Sequence, residues 1–135
     1  MSHDFKNFPE LTNNQMQFYY FDSPHRQITE NFEGKVVKII DGDTIHLKWS
    51  EREKPIRIRF IDTEAPEMGE MGGVESRNWL EKEIMGEYVL IEINPNLRVG
   101  KWGRIIGRVI HLGRDINQMS MDMGFSKPFG SKEWL

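Results

Sequence analysis

Three short segments of this chain carry side chains that can bind a cation and a phosphate. They are Asp41-Gly42-Asp43-Thr44, Arg57-Ile58-Arg59-Phe60-Ile61-Asp62-Thr63 and Lys101-Trp102-Gly103-Arg104, with Glu64 and Glu67 close behind the second in Thr-Glu-Ala-Pro-Glu. Asp62 closes a strand-like run that would pair with the run beginning at Asp43, and adjacent strand ends can bring two carboxylates together. Like charges so placed repel unless a cation lies between them. Hard oxygens of this kind suit calcium or magnesium and offer nothing to zinc. A carboxylate near a cation-bound phosphate, Glu67 or Glu64, can orient or deprotonate an attacking water. Arg104 follows a glycine at a strand start, from which a guanidinium can grip a phosphate bidentately. Strict alternation sets Arg57 and Asp62 on opposite faces of one strand. Both serve one site only if the strand bulges or ends before Asp62, and Arg59 is the alternative if it does neither. Taken singly, each segment also reads as an ordinary hairpin or a solvated strand face.

The elements that must position these groups are legible as patterns. GKVVKII, TIHLKW and PIRIRFI are β-branched or alternating runs, which predicts three consecutive antiparallel strands. Asp41-Gly42 joins the first two, a dipeptide favoured where a tight hairpin needs positive φ. The glycine-rich EMGEMGG predicts a mobile loop, and VESRNWLEKEIMG a helix stopped by Gly86. EYVLIEI and GRIIGRVIHL follow as strands. Asp115 can cap a last short helix, DINQMSMDM, with Ile116, Met119 and Met123 on one face and Gly124 at its end. Trp49, Trp79 and the Met119–Met123 stripe read as core, and the four histidines show no metal-ligand spacing. The fold class expected is α+β and mainly β: a five-stranded OB-type barrel with two to three short helices, closure being how so few strands avoid open edges.

A chain of 135 residues is one ordinary domain in size, and 38% hydrophobic content argues against disorder. We divide it into an acidic, aromatic arm over 1–32 and the barrel domain over 33–135. The arm has no clear period and reads as an irregular cover over the body, because its aromatics left exposed would promote aggregation. There is no cysteine, so no disulfide or thiolate metal site. No signal-like or membrane-spanning run is visible, and a soluble, cytoplasmic monomer is expected. The net charge of −3 argues against general electrostatic capture of duplex DNA. Residues 93–112 nonetheless hold Arg98, Lys101, Arg104 and Arg108 with no acid, which predicts a local positive strip.

Taken together and in this order, the segments are more specific than any one alone. Residues 34–127 resemble the staphylococcal nuclease (thermonuclease-like) family. The resemblance rests on Ile-Asp-Gly-Asp-Thr (40–44), Arg57 five residues before Asp62-Thr63, Pro66-Glu67, Gly-x-Glu-Ser (73–76), Trp-Gly-Arg (102–104) and Asp-Ile-Asn…Gly (115–124). It implies one Ca²⁺ held by Asp43, Asp62 and the Thr63 carbonyl. It further implies a scissile phosphate bound by Arg57 and Arg104, and a water positioned by Glu67. The implied activity is hydrolysis of single-stranded or locally opened DNA or RNA to 3′-phosphate products, with Lys101 and Trp102 contacting nucleic acid and Phe129 or Trp134 available for stacking. The family usually reads Asp-Thr-Pro-Glu, whereas Glu64-Ala65 here stand between Thr63 and Pro66. The base is therefore Glu67 if an insertion loops out, or Glu64 if the chain turns sharply. Two other readings follow from the same residues: a catalytically silent OB-type module binding nucleic acid or protein, and an enzyme inhibited by the arm lying over the positive strip.

Overall fold

The three runs after Gly34 form a meander, β1 (Phe32–Asp41), β2 (Thr44–Lys48) and β3 (Ile56–Phe60), each antiparallel to the next. The computed structural model describes residues 5, 6, 8–24, 26–100 and 104–130. The long β1 continues past β2 to pair with β5 (Tyr88–Glu92), which pairs with β6 (Ile105–His111). Parallel pairing of β6 with β3, from Ile58↔Ile105 to Phe60↔Gly107, closes a five-stranded barrel. Closure leaves no free edge among these strands. The expected OB-type α+β architecture is what the chain adopts. Among the described residues, no helix is long and apolar enough to cross a membrane.

Inward side chains of the strands alternate with outward ones and fill the barrel with Val36, Ile39, Ile45, Leu47, Ile58, Val89, Ile91, Ile105 and Val109. Helix α2 (Gly73–Ile84) adds Leu80 and Ile84, and α3 (Ile116–Asp122) adds Ile116. Asp115 caps α3 by accepting from the Gln118 amide at 3.0 Å. Trp49, Trp79 and Met119 pack against this core as expected, but Met123 is 60% exposed. The helix ends at Asp122, so the apolar stripe outruns the element that would have turned it inward.

The arm contains a helix that its pattern did not announce, α1 (Asn13–Tyr19). Its signal is a capping box: the Thr12 side chain accepts from the Gln15 amide and the Gln15 side chain accepts from the Thr12 amide. It shows no apolar period because it buries none of its residues. The arm's aromatics divide: Phe18 is 74% and Phe21 96% exposed, whereas Phe32 is buried in the core. Leu11 and Ile28 are buried as well, together with a polar clasp. Glu10 pairs with Arg52 and, at 3.7 Å, with Arg98, while accepting from the Ile28 amide. Arg98 in turn donates to the carbonyls of Ile28 and Leu11.

Candidate active site

Two irregularities in β1 decide which of its side chains reach the outer face near the hairpin. Register shifts between Val36 and Lys38 and between Ile39 and Asp41 set Lys38 opposite His46 and Asp41 opposite Thr44. A bulge inserts one residue and so reverses the alternation, which brings Asp41 to the same face as Thr44. Gly42 is needed at this hairpin for proximity. It does not adopt the positive φ expected of it, and a Cβ there would lie 1.9 Å from Ser76 Oγ and 2.7 Å from Ala65 Cβ. Gly73 serves the same end, since a Cβ would lie 2.0 Å from the Glu67 carbonyl oxygen. The hairpin, the 64–67 segment and the start of α2 are thus packed against one another at closest approach.

They enclose a cavity of about 340 Å³ lined by Asp41, Asp43, Thr44, Arg59, Glu64, Ala65, Glu67, Glu70, Arg104 and Phe129. Asp43 is buried at its floor. Its carboxylate accepts from the Ala65 amide at 2.8 Å and the Thr44 hydroxyl at 3.0 Å, and it lies 3.3 Å from the Arg59 guanidinium. Burial nevertheless pushes its pKa up to about 7, with Asp41 raising it further and Arg59 opposing. Removal from water outweighs one partly buried guanidinium, so the pocket under-compensates its own negative charge. Arg59 also donates to the carbonyls of Phe60 at 2.8 Å and Thr63 at 2.7 Å, and stacks 5.9 Å from the Phe129 ring centroid. Arg104 enters from the start of β6, with a buried Nε that has no hydrogen-bond partner. Glu64 is half-buried on β4 (Thr63–Glu64), which pairs with the two-residue strand Lys127–Pro128. Glu67 sits exposed on the rim, its amide donating to Glu70. A second recess of about 370 Å³ adjoins this one, shares Arg59, Arg104 and Phe129, and is walled by Phe60, Leu97 and Ile106.

Of the residues expected here, the fold brings together Asp43, Arg104, Glu67 and Glu64, with Arg59 as the arginine of β3. It does not bring in Arg57, Asp62 or the Thr63 carbonyl. Arg57 is exposed farther back on β3, opposite His46. Asp62 follows the end of the strand with φ 57°, its side chain 68% exposed and paired with Arg108 at 3.2 Å. The Thr63 carbonyl accepts from Arg59, a cation that competes with any ion for the same lone pairs. Lys101 and Trp102 lie outside the described residues, as does Trp134. Of the positive strip expected over 93–112, Arg98 and Arg108 are paired, Arg104 has no ion pair among the described residues, and Lys101 lies outside them. Arg98 turns inward to Glu10, and Arg108 bonds both Asp62 and Asp115.

Arg59 precedes Glu64 by the same five positions that separate Arg57 from Asp62, so spacing along the chain does not distinguish the two pairs.

No family model matches the chain. It is 36% identical over 76 residues to Protein ParB of Escherichia coli, covering 56% of this chain and 40% of that protein. It is 30% identical over 95 residues to an uncharacterized endonuclease of Escherichia coli, covering 70% and 59% respectively. To a micrococcal nuclease of Shigella flexneri it is 34% identical over 79 residues, covering 58% and 42%. The chain thus spans about two-fifths to three-fifths of the length of these relatives.

Proposed function

We propose that this chain is a calcium-dependent nuclease whose site is the Asp43–Glu64–Arg59–Arg104 cavity. The observation that carries the reading is convergence: five acids (Asp41, Asp43, Glu64, Glu67 and Glu70) and two arginines from four separate segments line one pocket. The similarity to an endonuclease and a micrococcal nuclease supports the same chemistry.

A hard divalent cation fits the donor set. The Asp43 carboxyl is driven toward neutrality by burial beside Asp41, a penalty that a bound cation relieves. Asp43 and Glu64 would hold the ion, with Asp41 beside them. Among the described residues no three carboxylate or imidazole groups close on one point, so the chain would offer two acids to the ion and not a full cage. When bound, Ca²⁺ supplies Lewis-acid stabilisation of charge on the phosphoryl oxygens.

The chain's own residues supply the rest. Arg104 lines the cavity with no ion-pair partner among the described residues, so its guanidinium can make a charge-assisted bond to a phosphate oxygen. Arg59 is anchored by two carbonyls and Asp43, so its guanidinium is oriented before substrate arrives. Glu67 stands at the wet rim, where a carboxylate can orient a water and accept its proton as the water oxygen bonds to phosphorus and the P–O5′ bond opposite it breaks, the departing O5′ taking a proton from solvent. Glu64, half-buried in the same cavity as Asp43, is better suited to the cation, which favours Glu67 as the base. A flanking base would rest in the adjoining recess against Phe129, Leu97 and Ile106.

The test is direct. Single-stranded DNA or RNA should be degraded with added calcium and spared in chelator, and Arg104→Ala should lower the rate by on the order of 10²–10³. Intact substrate at millimolar calcium and alkaline pH would falsify the reading.

A further inference from the structure

Among the described residues, a set of basic side chains is assembled across three strands, apart from Arg104 of the cavity. Lys35 lies opposite Lys48, Lys38 opposite His46, and His46 opposite Arg57. All four charged members are exposed, and among the described residues none has a carboxylate within ion-pair distance. Directly opposed like charges destabilise a sheet, so this face opposes folding unless something else uses it. Lys38 belongs to it only because the bulge at Val37 turns that side chain outward. His46 registers the crowding: burial first, then Arg57 and Lys38, hold its imidazole below its ordinary value of 6.5.

The placement relative to the cavity gives the face its direction. Arg57 is two residues from Arg59 on the same side of β3, a step of about 7 Å. Beyond it come Lys38, then Lys48 and Lys35, and finally Tyr88, opposite Lys35 on β5 and 69% exposed. On β1 the run ends at Glu33, two residues past Lys35 on the same face. Cations spaced along a strand face, with an exposed aromatic at the far end, match a single-stranded polynucleotide: phosphates for the cations and a base for the ring. In a chain of net charge −3 such a face is local and directional.

We infer that the outer face of β1–β3 is a track for the sugar–phosphate backbone of the strand leading away from the cavity, with Arg57, Lys38, Lys48 and Lys35 meeting successive phosphates. This rests on the nuclease reading for its direction, but its binding function is separately measurable. Each phosphate neutralised on a single strand contributes about 0.7 to the slope of log affinity against log salt.

The experiment uses the full chain, a labelled oligothymidylate of about ten nucleotides, and chelator to prevent turnover, with affinity read by fluorescence anisotropy across salt concentrations. Lys38→Ala with Arg57→Ala should reduce the slope by about 1.4 and weaken binding at low salt. Arg77→Ala with Lys82→Ala, on the surface of α2, removes the same charge and should leave the slope unchanged. An unaltered slope in the first pair, or an equal fall in the second, overturns the track. If the first pair fails to fold, Lys38→Gln with Lys48→Gln gives the same readout from two exposed lysines. Should the wild type bind with a steep slope yet never cleave under calcium, the track stands and the nuclease reading falls.

Discussion

Exchanging the acid on either side of Thr63 separates the two possible registers of the site. Asp62→Asn removes a carboxylate charge whose side chain is 68% exposed and whose partner, Arg108, retains Asp115 at 2.9 Å. An exposed pair of this kind is worth at most about 1 kcal/mol. Even if all of it reached the transition state, the rate would fall no more than about fivefold. Glu64→Gln keeps the volume but removes an anionic donor from the cavity that holds buried Asp43 and both arginines. Loss of a preorganised charge in such a site costs about 3–4 kcal/mol, or 10²–10³ in rate. The assay is initial-rate hydrolysis of a fluorogenic oligonucleotide over a calcium titration. Glu64→Gln should both lower the maximal rate and shift the calcium midpoint upward, whereas Asp62→Asn should leave the midpoint in place. A hundredfold loss in Asp62→Asn with near-normal Glu64→Gln would refute the register and restore Asp62 as the ligand.

Other consequences can be measured independently of activity. Glu10→Gln leaves the guanidinium groups of Arg52 and Arg98, 5% and 3% exposed, without their shared anion, and should destabilise the fold by about 3–5 kcal/mol in urea unfolding. A change under about 1 kcal/mol would mean the clasp is not what holds the arm. Gly42→Ala forces a methyl against Ser76 Oγ and should cost about 1–3 kcal/mol, less when combined with Ser76→Ala; strictly additive losses would contradict the contact. His46 should titrate below 6.5 by NMR, and Arg57→Gln should move it upward. The sign for stability follows. A depressed folded pKa means that the unfolded chain takes up the proton first, so this contribution is intact above pH 6.5 and is lost as pH falls toward the folded value. An unchanged His46 titration in Arg57→Gln would show that the two groups do not interact.

Deleting residues 1–32 bears on the arm's role. Among the described residues none of the arm lines the cavity, and the clasp holds Arg98, whose carbonyl accepts from the Ile106 amide of β6. Truncation is therefore expected to lower stability and activity together. A rise in rate would revive the inhibited-enzyme reading.

Local pattern determined much of this protein. Alternating apolar residues specify strands whichever partner they find, and so the meander, α2, the Asp115 cap and the barrel core were legible. So were the chemical types of the site, because Asp43, Glu67 and Arg104 each sit in a distinctive short motif. Tertiary structure alone decided the register. A strand repeats every two residues, so Arg57 and Arg59 share a face and two arginine-to-acid spacings of five positions are equivalent along the chain. In the fold Arg59 and Glu64 line one cavity, while Asp62, with φ 57°, turns its side chain out to Arg108. Charge was decided in the same way. Arg98 and Arg108 look free in sequence, yet their partners Glu10 and Asp62 lie 88 and 46 positions away, beyond any local pattern. The lysines that do remain free face outward partly because a bulge, an insertion visible only once two strands pair, reversed the alternation of β1.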